Sequence, residues 1–199
     1  LARRLRSLGL ASIRPPAPER LRLRALLERF PERPVWAAFV FVAGFAAIAS
    51  LAVVARATGS PFLFPSLGAS AFLHFTTPLA PSASPRNTLV GHAIGIACGF
   101  GALWIVGLHD APSAIAAGVS DARVIAVAAS LAATGALMVL LRASHPPAGA
   151  TALIVSLGLV SGPLNLVVIE LAVAALTLQA IVINRLAGLD YPVWAARET

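Results

Sequence analysis

The chain has no lysine, one cysteine and eight acidic residues among 199. The single cysteine, Cys98, excludes an intramolecular disulfide and any cysteine-rich metal centre. There is no GxSxG, so a nucleophile-elbow hydrolase is not indicated. Charged residues make up 12%, about half the usual share of a soluble domain, while 58% are hydrophobic. All fifteen basic residues are arginine, and nine precede Pro34, leaving a nearly neutral remainder. That remainder belongs in a bilayer. The basic segment 1–34 faces anionic lipid rather than nucleic acid, because a hydrophobic span follows it directly. Within it, Leu23, Leu26, Leu27 and Phe30 share one helical face, as in a helix lying in the membrane interface; a loosely ordered cytoplasmic tail is the alternative. An arginine-only basic set with abundant Ala, Gly and Pro fits a GC-rich bacterial genome, and hence a multi-pass protein of the cytoplasmic membrane with its N-terminus inside.

The membrane domain runs over 35–186, followed by a short tail, 187–199. Val35–Ala55, Leu89–Leu108, Ala122–Leu141 and Pro163–Leu186 are each apolar and about 20 residues or longer, enough to cross as helices. Two further stretches resist that reading. "PFLFPSLGASAFLHF" (61–75) and "PPAGATALIVSLGL" (146–159) are apolar, short and interrupted by proline. "FPSLGASAFL" (64–73) aligns without gaps on "HPPAGATALI" (145–154): Pro65 on Pro146, Gly68 on Gly149, Ala69 on Ala150, Ala71 on Ala152, and Ser70 on Thr151. The chain therefore reads as a duplication with an offset of 81 residues, repeat 1 over about 35–108 and repeat 2 over about 122–186. Each repeat is span, proline-broken half-helix, span. The broken segments are either re-entrant or short crossing segments. Crossing collects Arg86, Arg142, Arg185 and Arg197 on the side of the basic N-terminus, so the positive-inside rule favours it. Three crossings per repeat would make a 3+3 inverted repeat in an all-α integral membrane fold.

Broken helices at matching positions of two repeats point to a transporter's binding site. Proline is tolerated in the first turn of a helix, so Pro65 and Pro146 or Pro147 read as helix starts within the membrane. Such starts carry free amides and partial positive charge, which suits an anion. The expected site comprises Pro65, Ser66, Gly68, Ala69, Ser70, His145, Pro146, Pro147, Gly149, Ala150 and Thr151, with the hydroxyls as added donors. Alternatively, the small residues only permit close helix packing.

His74, His92 and His145 fall near one membrane side in either topology and are candidates for proton coupling; their spacing matches no recognised metal site. Glu170 is the one acidic residue deep in a span, with Thr177 and Asn184 on its face, so it is a gating or proton-carrying group, or the partner of an arginine. Arg86, Asn87 and Arg142 form an anion funnel or anchor the interface. Gly91, Gly95 and Gly99 recur every four residues as a packing face, which is available to a homo-oligomer.

"SHPPAGATAL" (144–153) carries the His-Pro-Pro signature of the HPP family of integral membrane proteins, and "FPSLGASA" (64–71) and "SPRNTLVGH" (84–92) also resemble that family's pattern. The resemblance covers Val35 to Leu186. It implies four transmembrane helices, and some members are implicated in nitrite transport, so nitrite is the substrate it implies. No cofactor and no metal is expected. The sequence thus reads as a transporter or channel for a small inorganic anion. A membrane scaffold or regulatory subunit is the first rival. An intramembrane enzyme built on Ser66, Ser70 or Thr151 with a histidine base is the second.

Overall fold

The computed structural model describes residues 23–60 and 62–196. Among them the chain is helical throughout, without strands: α1 (Leu23–Leu27), α2 (Glu32–Thr58), α3 (Pro65–Thr76), α4 (Pro85–Ile105), α5 (Ala114–Ala117), α6 (Asp121–Leu140), α7 (Pro147–Ser156) and α8 (Pro163–Leu186), with a 3-10 turn at Pro81–Ala83. Helices α2, α4, α6 and α8 are long and apolar enough to cross a membrane. Their starts follow local chemistry. Proline occupies the first turn of α3, α4, α7 and α8. The Ser84 hydroxyl caps α4 by accepting from the Asn87 amide, which moves its start four residues ahead of the expected Leu89. Gly59, left-handed at φ 64°, ends α2.

Hydrogen bonds between helix ends define two ends of the bundle. At the first, the Leu23 amide donates to Ala187, the Asn184 side chain to the His74 carbonyl, the Arg86 amide to Trp194, and the Arg86 guanidinium to Arg142. The start of α2, the end of α3, the start of α4, the end of α6 and the end of α8 therefore meet there. At the second end, Arg123 in the first turn of α6 donates to Ser156, and Ala114 to Leu157. Helix α2, with 27 residues, is about 40 Å long. Helix α3, with 12 residues, is only about 18 Å and finishes at the first end. It thus begins deep in the bundle, preceded by the non-helical residues 62–64. Helix α7, 10 residues long and ending at the second end, likewise begins at depth.

The core gathers Ala47 and Leu51 of α2, Leu67 and Phe75 of α3, and Ile169, Val173 and Leu176 of α8. Phe41, Phe45, Ile105, Val139 and Leu164 are exposed, and an apolar outer surface of this kind is compatible with lipid rather than water. The glycine face of α4 packs against α7 of the same chain. A Cβ on Gly91 would lie 2.8 Å from His145 Cβ, and one on Gly99 would lie 2.7 Å from Val155 Cβ. This corrects the expectation that the face serves a homo-oligomer: it is already covered. Of the N-terminal apolar face, Leu23 is buried, Leu26 and Leu27 are half-buried and Phe30 is exposed. Residues 1–22, Pro61 and 197–199, including Arg197 and most of the basic segment, lie outside the described residues.

Candidate functional site

Helices α3 and α7 pass each other where both begin. Ser66 pairs with Thr151 and Ser70 with His145, so higher numbers on one face lower numbers on the other, and the helices run antiparallel. Small residues on α4 bring a third wall close enough for His92 to reach between them. The result is a polar chain inside an apolar bundle. Ser66 Oγ lies 2.7 Å from Thr151 Oγ1, which lies 2.7 Å from His92 Nδ1. His92 Nε2 is 2.9 Å from Ser70 Oγ, and Ser70 Oγ is 2.9 Å from His145 Nε2. His145 Nδ1 ends the chain, 2.7 Å from the Ser82 carbonyl and 3.4 Å from Thr88 Oγ1. All five side chains from Ser66 to His145 are buried. Buried polar groups of this kind are costly unless each finds a partner, and here each does.

His74 stands beside this chain, its ring centroid 6.1 Å from that of His145. Its Nδ1 lies 3.1 Å from the Ala83 carbonyl and 3.0 Å from the Tyr191 hydroxyl, while its Nε2 is buried without a partner among the described residues. The three histidines do come to one place, and they bond to hydroxyls and carbonyls. No cluster of three or more His, Cys, Asp or Glu among the described residues is arranged to hold a metal ion.

The other expected site residues divide. Pro147 is buried with the chain; Gly149 and Ala150 are half-buried. Pro65, Gly68, Ala69 and Pro146 face outward, and Gly68 borders a groove with Val40 and Gly44 of α2. Of the backbone donors expected there, the Gly149 amide donates to the Pro146 carbonyl, and the neighbouring Leu67 and Ala148 amides likewise donate to Phe64 and His145. The site is therefore made of side-chain hydroxyls and imidazoles, and Gly68 and Ala69 are not part of it. The helix starts place these groups, and the amides of Leu67, Ala148 and Gly149 close on the preceding residues in three-residue bonds, as is common at helix ends.

Arg86 and Asn87 lie at the first end of the bundle. The Arg86 guanidinium donates to the carbonyls of Leu141 and Arg142 and to Asn87, tying the end of α6 to the start of α4, while Arg142 is exposed. Glu170 is half-buried on α8, its Oε2 lacking a partner; no arginine among the described residues pairs with it. Thr177 donates to Val173, and Asn184 to Ala180 and His74.

Sequence reasoning missed four contributors. The Ser82 and Ala83 carbonyls and Tyr191 anchor the histidines, and Arg123, buried at the second end, donates to Ser156 and Pro112. Tyr191 is the one tyrosine in the chain, which is the only signal it gave.

No curated protein and no solved structure matches the chain. A family model described as "HPP, transmembrane region" matches residues 31–192, a stretch that contains α3, α7, His74, His92, His145 and Tyr191, and the protein belongs to that family.

Proposed function

We propose that the protein transports a small inorganic anion across a membrane through the polar chain between α3 and α7, with nitrite the first candidate because the family resemblance implies it. The observation that carries this reading is the buried run Ser66–Thr151–His92–Ser70–His145 at the place where two short helices begin. Hydroxyl and imidazole N–H groups are anion donors, and in a low-dielectric interior they act more strongly than in water. The positive ends of α3 and α7 add to the attraction.

The bundle is best described as six crossings in two inverted repeats, α2–α3–α4 and α6–α7–α8. The antiparallel pairing of α3 and α7 supports this, as does the chain's passage from end to end between the ends defined above. Gly91 and Gly99 of α4 correspond, 81 residues on, to Ala172 and Ala180 of α8, small residues at matching positions. The histidines break the symmetry, for His74, His92 and His145 correspond to Val155, Val173 and Phe64. Arg33, Arg86, Arg142 and Arg185 belong to the first end of the bundle, which by the positive-inside rule is the cytoplasmic one in a bacterial inner membrane.

Uptake into proteoliposomes of purified protein tests the reading, with nitrite compared against nitrate, formate and chloride. Selective flux lost in Thr151→Val supports the site. No flux of any anion from folded protein refutes it.

A further inference from the structure

The hydrogen-bond chain has a direction. Carbonyls only accept, so His145 Nδ1 carries the hydrogen it gives to Ser82. Thr88 has given its own hydroxyl hydrogen to Ser84, so it too accepts from His145 Nδ1. A neutral His145 is then bare at Nε2, and Ser70 donates to it. Ser70 has one hydrogen, so it accepts from Nε2–H of His92. Nδ1 of His92 is bare in turn and accepts from Thr151, which accepts from Ser66. These hydrogens are assigned from the partners, and one backbone carbonyl sets them all.

The open end of this neutral chain is the wrong kind for an anion. Ser66 has turned its hydrogen inward and has no second partner among the described residues, so it offers only lone pairs. A single added proton reverses every bond. The proton binds Ser66 Oγ, and the hydrogen of Ser66 passes to Thr151. That of Thr151 passes to His92 Nδ1, and the Nε2 hydrogen of His92 passes to Ser70. The hydrogen of Ser70 then passes to His145 Nε2. His92 ends neutral as the other tautomer, His145 ends as imidazolium, and the new hydrogen on Ser66 points outward. The route stops there, because the Ser82 carbonyl takes no proton.

We propose that the anion occupies this site together with one proton, stored on His145 at the blind end of the chain, so that transport is an electroneutral one-to-one symport. This rests on the transport reading above. The surroundings make each partner depend on the other. His145 immediately precedes the start of α7, whose positive end disfavours a lone imidazolium. Around it stand His74 on α3, Tyr191 of the tail, bonded to His74, and Arg86 on α4, bonded to carbonyls. On α8, Glu170 bonds to no member of the chain. No carboxylate among the described residues bonds to His92 or His145, so the charge created is balanced by the incoming anion.

The test uses the full protein and sodium nitrite. In lightly buffered detergent solution near neutral pH, one proton is taken up per nitrite bound. Nitrogen-15 labelled histidine then shows one ring becoming doubly protonated and a second changing tautomer. In proteoliposomes, after subtraction of the leak in protein-free vesicles, accumulation rises about tenfold per pH unit of inward proton gradient and does not respond to an imposed potassium diffusion potential. Nitrite that binds or moves without a proton, or is driven by the potential, overturns the symport and leaves the transport reading standing. Folded protein that neither binds nor moves nitrite, nitrate, formate or chloride overturns both.

Discussion

Gly91 lies directly beneath His145: a Cβ built on the glycine would stand 2.8 Å from the histidine Cβ. The histidine's backbone position, and with it the reach of its ring to Ser70, depends on the missing methyl group. Gly91→Ala should cost about 1–3 kcal/mol as an overpacked contact and reduce transport by displacing the imidazole. Gly44→Ala is the control, since no atom lies within 4 Å of its added Cβ; in a helix it is neutral or stabilising by up to about 1 kcal/mol. Thermal unfolding in detergent, read beside uptake, compares the two. Equal melting temperatures for Gly91→Ala and the parent protein would contradict the packing.

Thr151 joins Ser66 to His92 through one hydroxyl. Thr151→Val keeps its shape and leaves two buried groups unpartnered, at about 1–3 kcal/mol for each. Thr151→Ser keeps the hydroxyl and loses one methyl group, about 0.8 kcal/mol. Uptake should vanish in the valine variant and persist in the serine variant. Uptake that survives in the valine variant and vanishes in the serine variant would show that the methyl group matters and the hydroxyl does not.

Much of this arrangement was legible because it rests on short-range rules. Twenty-residue apolar runs gave the long helices to within a few residues, and Pro163–Leu186 coincides with α8. Prolines at Pro65 and Pro147 marked the starts of the short helices, since proline suits a first turn. Sidedness brought the three histidines to one place. Their partners were hidden for a physical reason: Ser82, Ala83 and Tyr191 sit in a turn and a tail without periodicity, Ser82 and Ala83 act through backbone carbonyls, and the Tyr191 hydroxyl is 117 residues from His74 in sequence. The free amides expected at the helix starts also failed, because hydroxyls and imidazoles filled the site and the amides closed locally. Arg86 looked like a funnel residue from sequence alone; only the return of α6 beside it reveals the carbonyls it holds.

Arg123 is buried with no acidic partner among the described residues, its guanidinium donating to the Ser156 carbonyl at 3.1 Å and the Pro112 carbonyl at 2.8 Å. The Ser156 carbonyl is at the negative end of α7, where a cation is favoured. Arg123→Lys keeps the charge, but an ammonium on a single stem does not reproduce the planar fork across both carbonyls. The expected loss is about 1.5–3 kcal/mol, one charged hydrogen bond. Arg56→Lys, at an exposed position, should leave stability within about 0.5 kcal/mol of the parent. Unfolding midpoints that do not separate the two variants would remove Arg123 as the tie between α6 and α7.

Tyr191 folds back over the first end of the bundle, fully buried, its hydroxyl donating to the Ala83 carbonyl and lying 3.0 Å from His74 Nδ1. Burial pushes this hydroxyl above its ordinary value. The sign of the pH effect follows. Above about pH 10 the unfolded tyrosine releases its proton while the folded one retains it, so the unfolded state binds fewer protons and stability falls as pH rises. The slope approaches about 1.4 kcal/mol per pH unit for this one group. With no lysine and a single tyrosine in the chain, few other groups titrate in that range, and Cys98 is common to parent and variant. Tyr191→Phe should lose about 0.5–1.5 kcal/mol at neutral pH for the hydrogen bond and should flatten the alkaline slope. Unfolding measured from pH 8 to 11 distinguishes the two effects. An alkaline slope that survives unchanged in the phenylalanine variant would mean that another group carries it and that burial of the Tyr191 hydroxyl does not hold its proton.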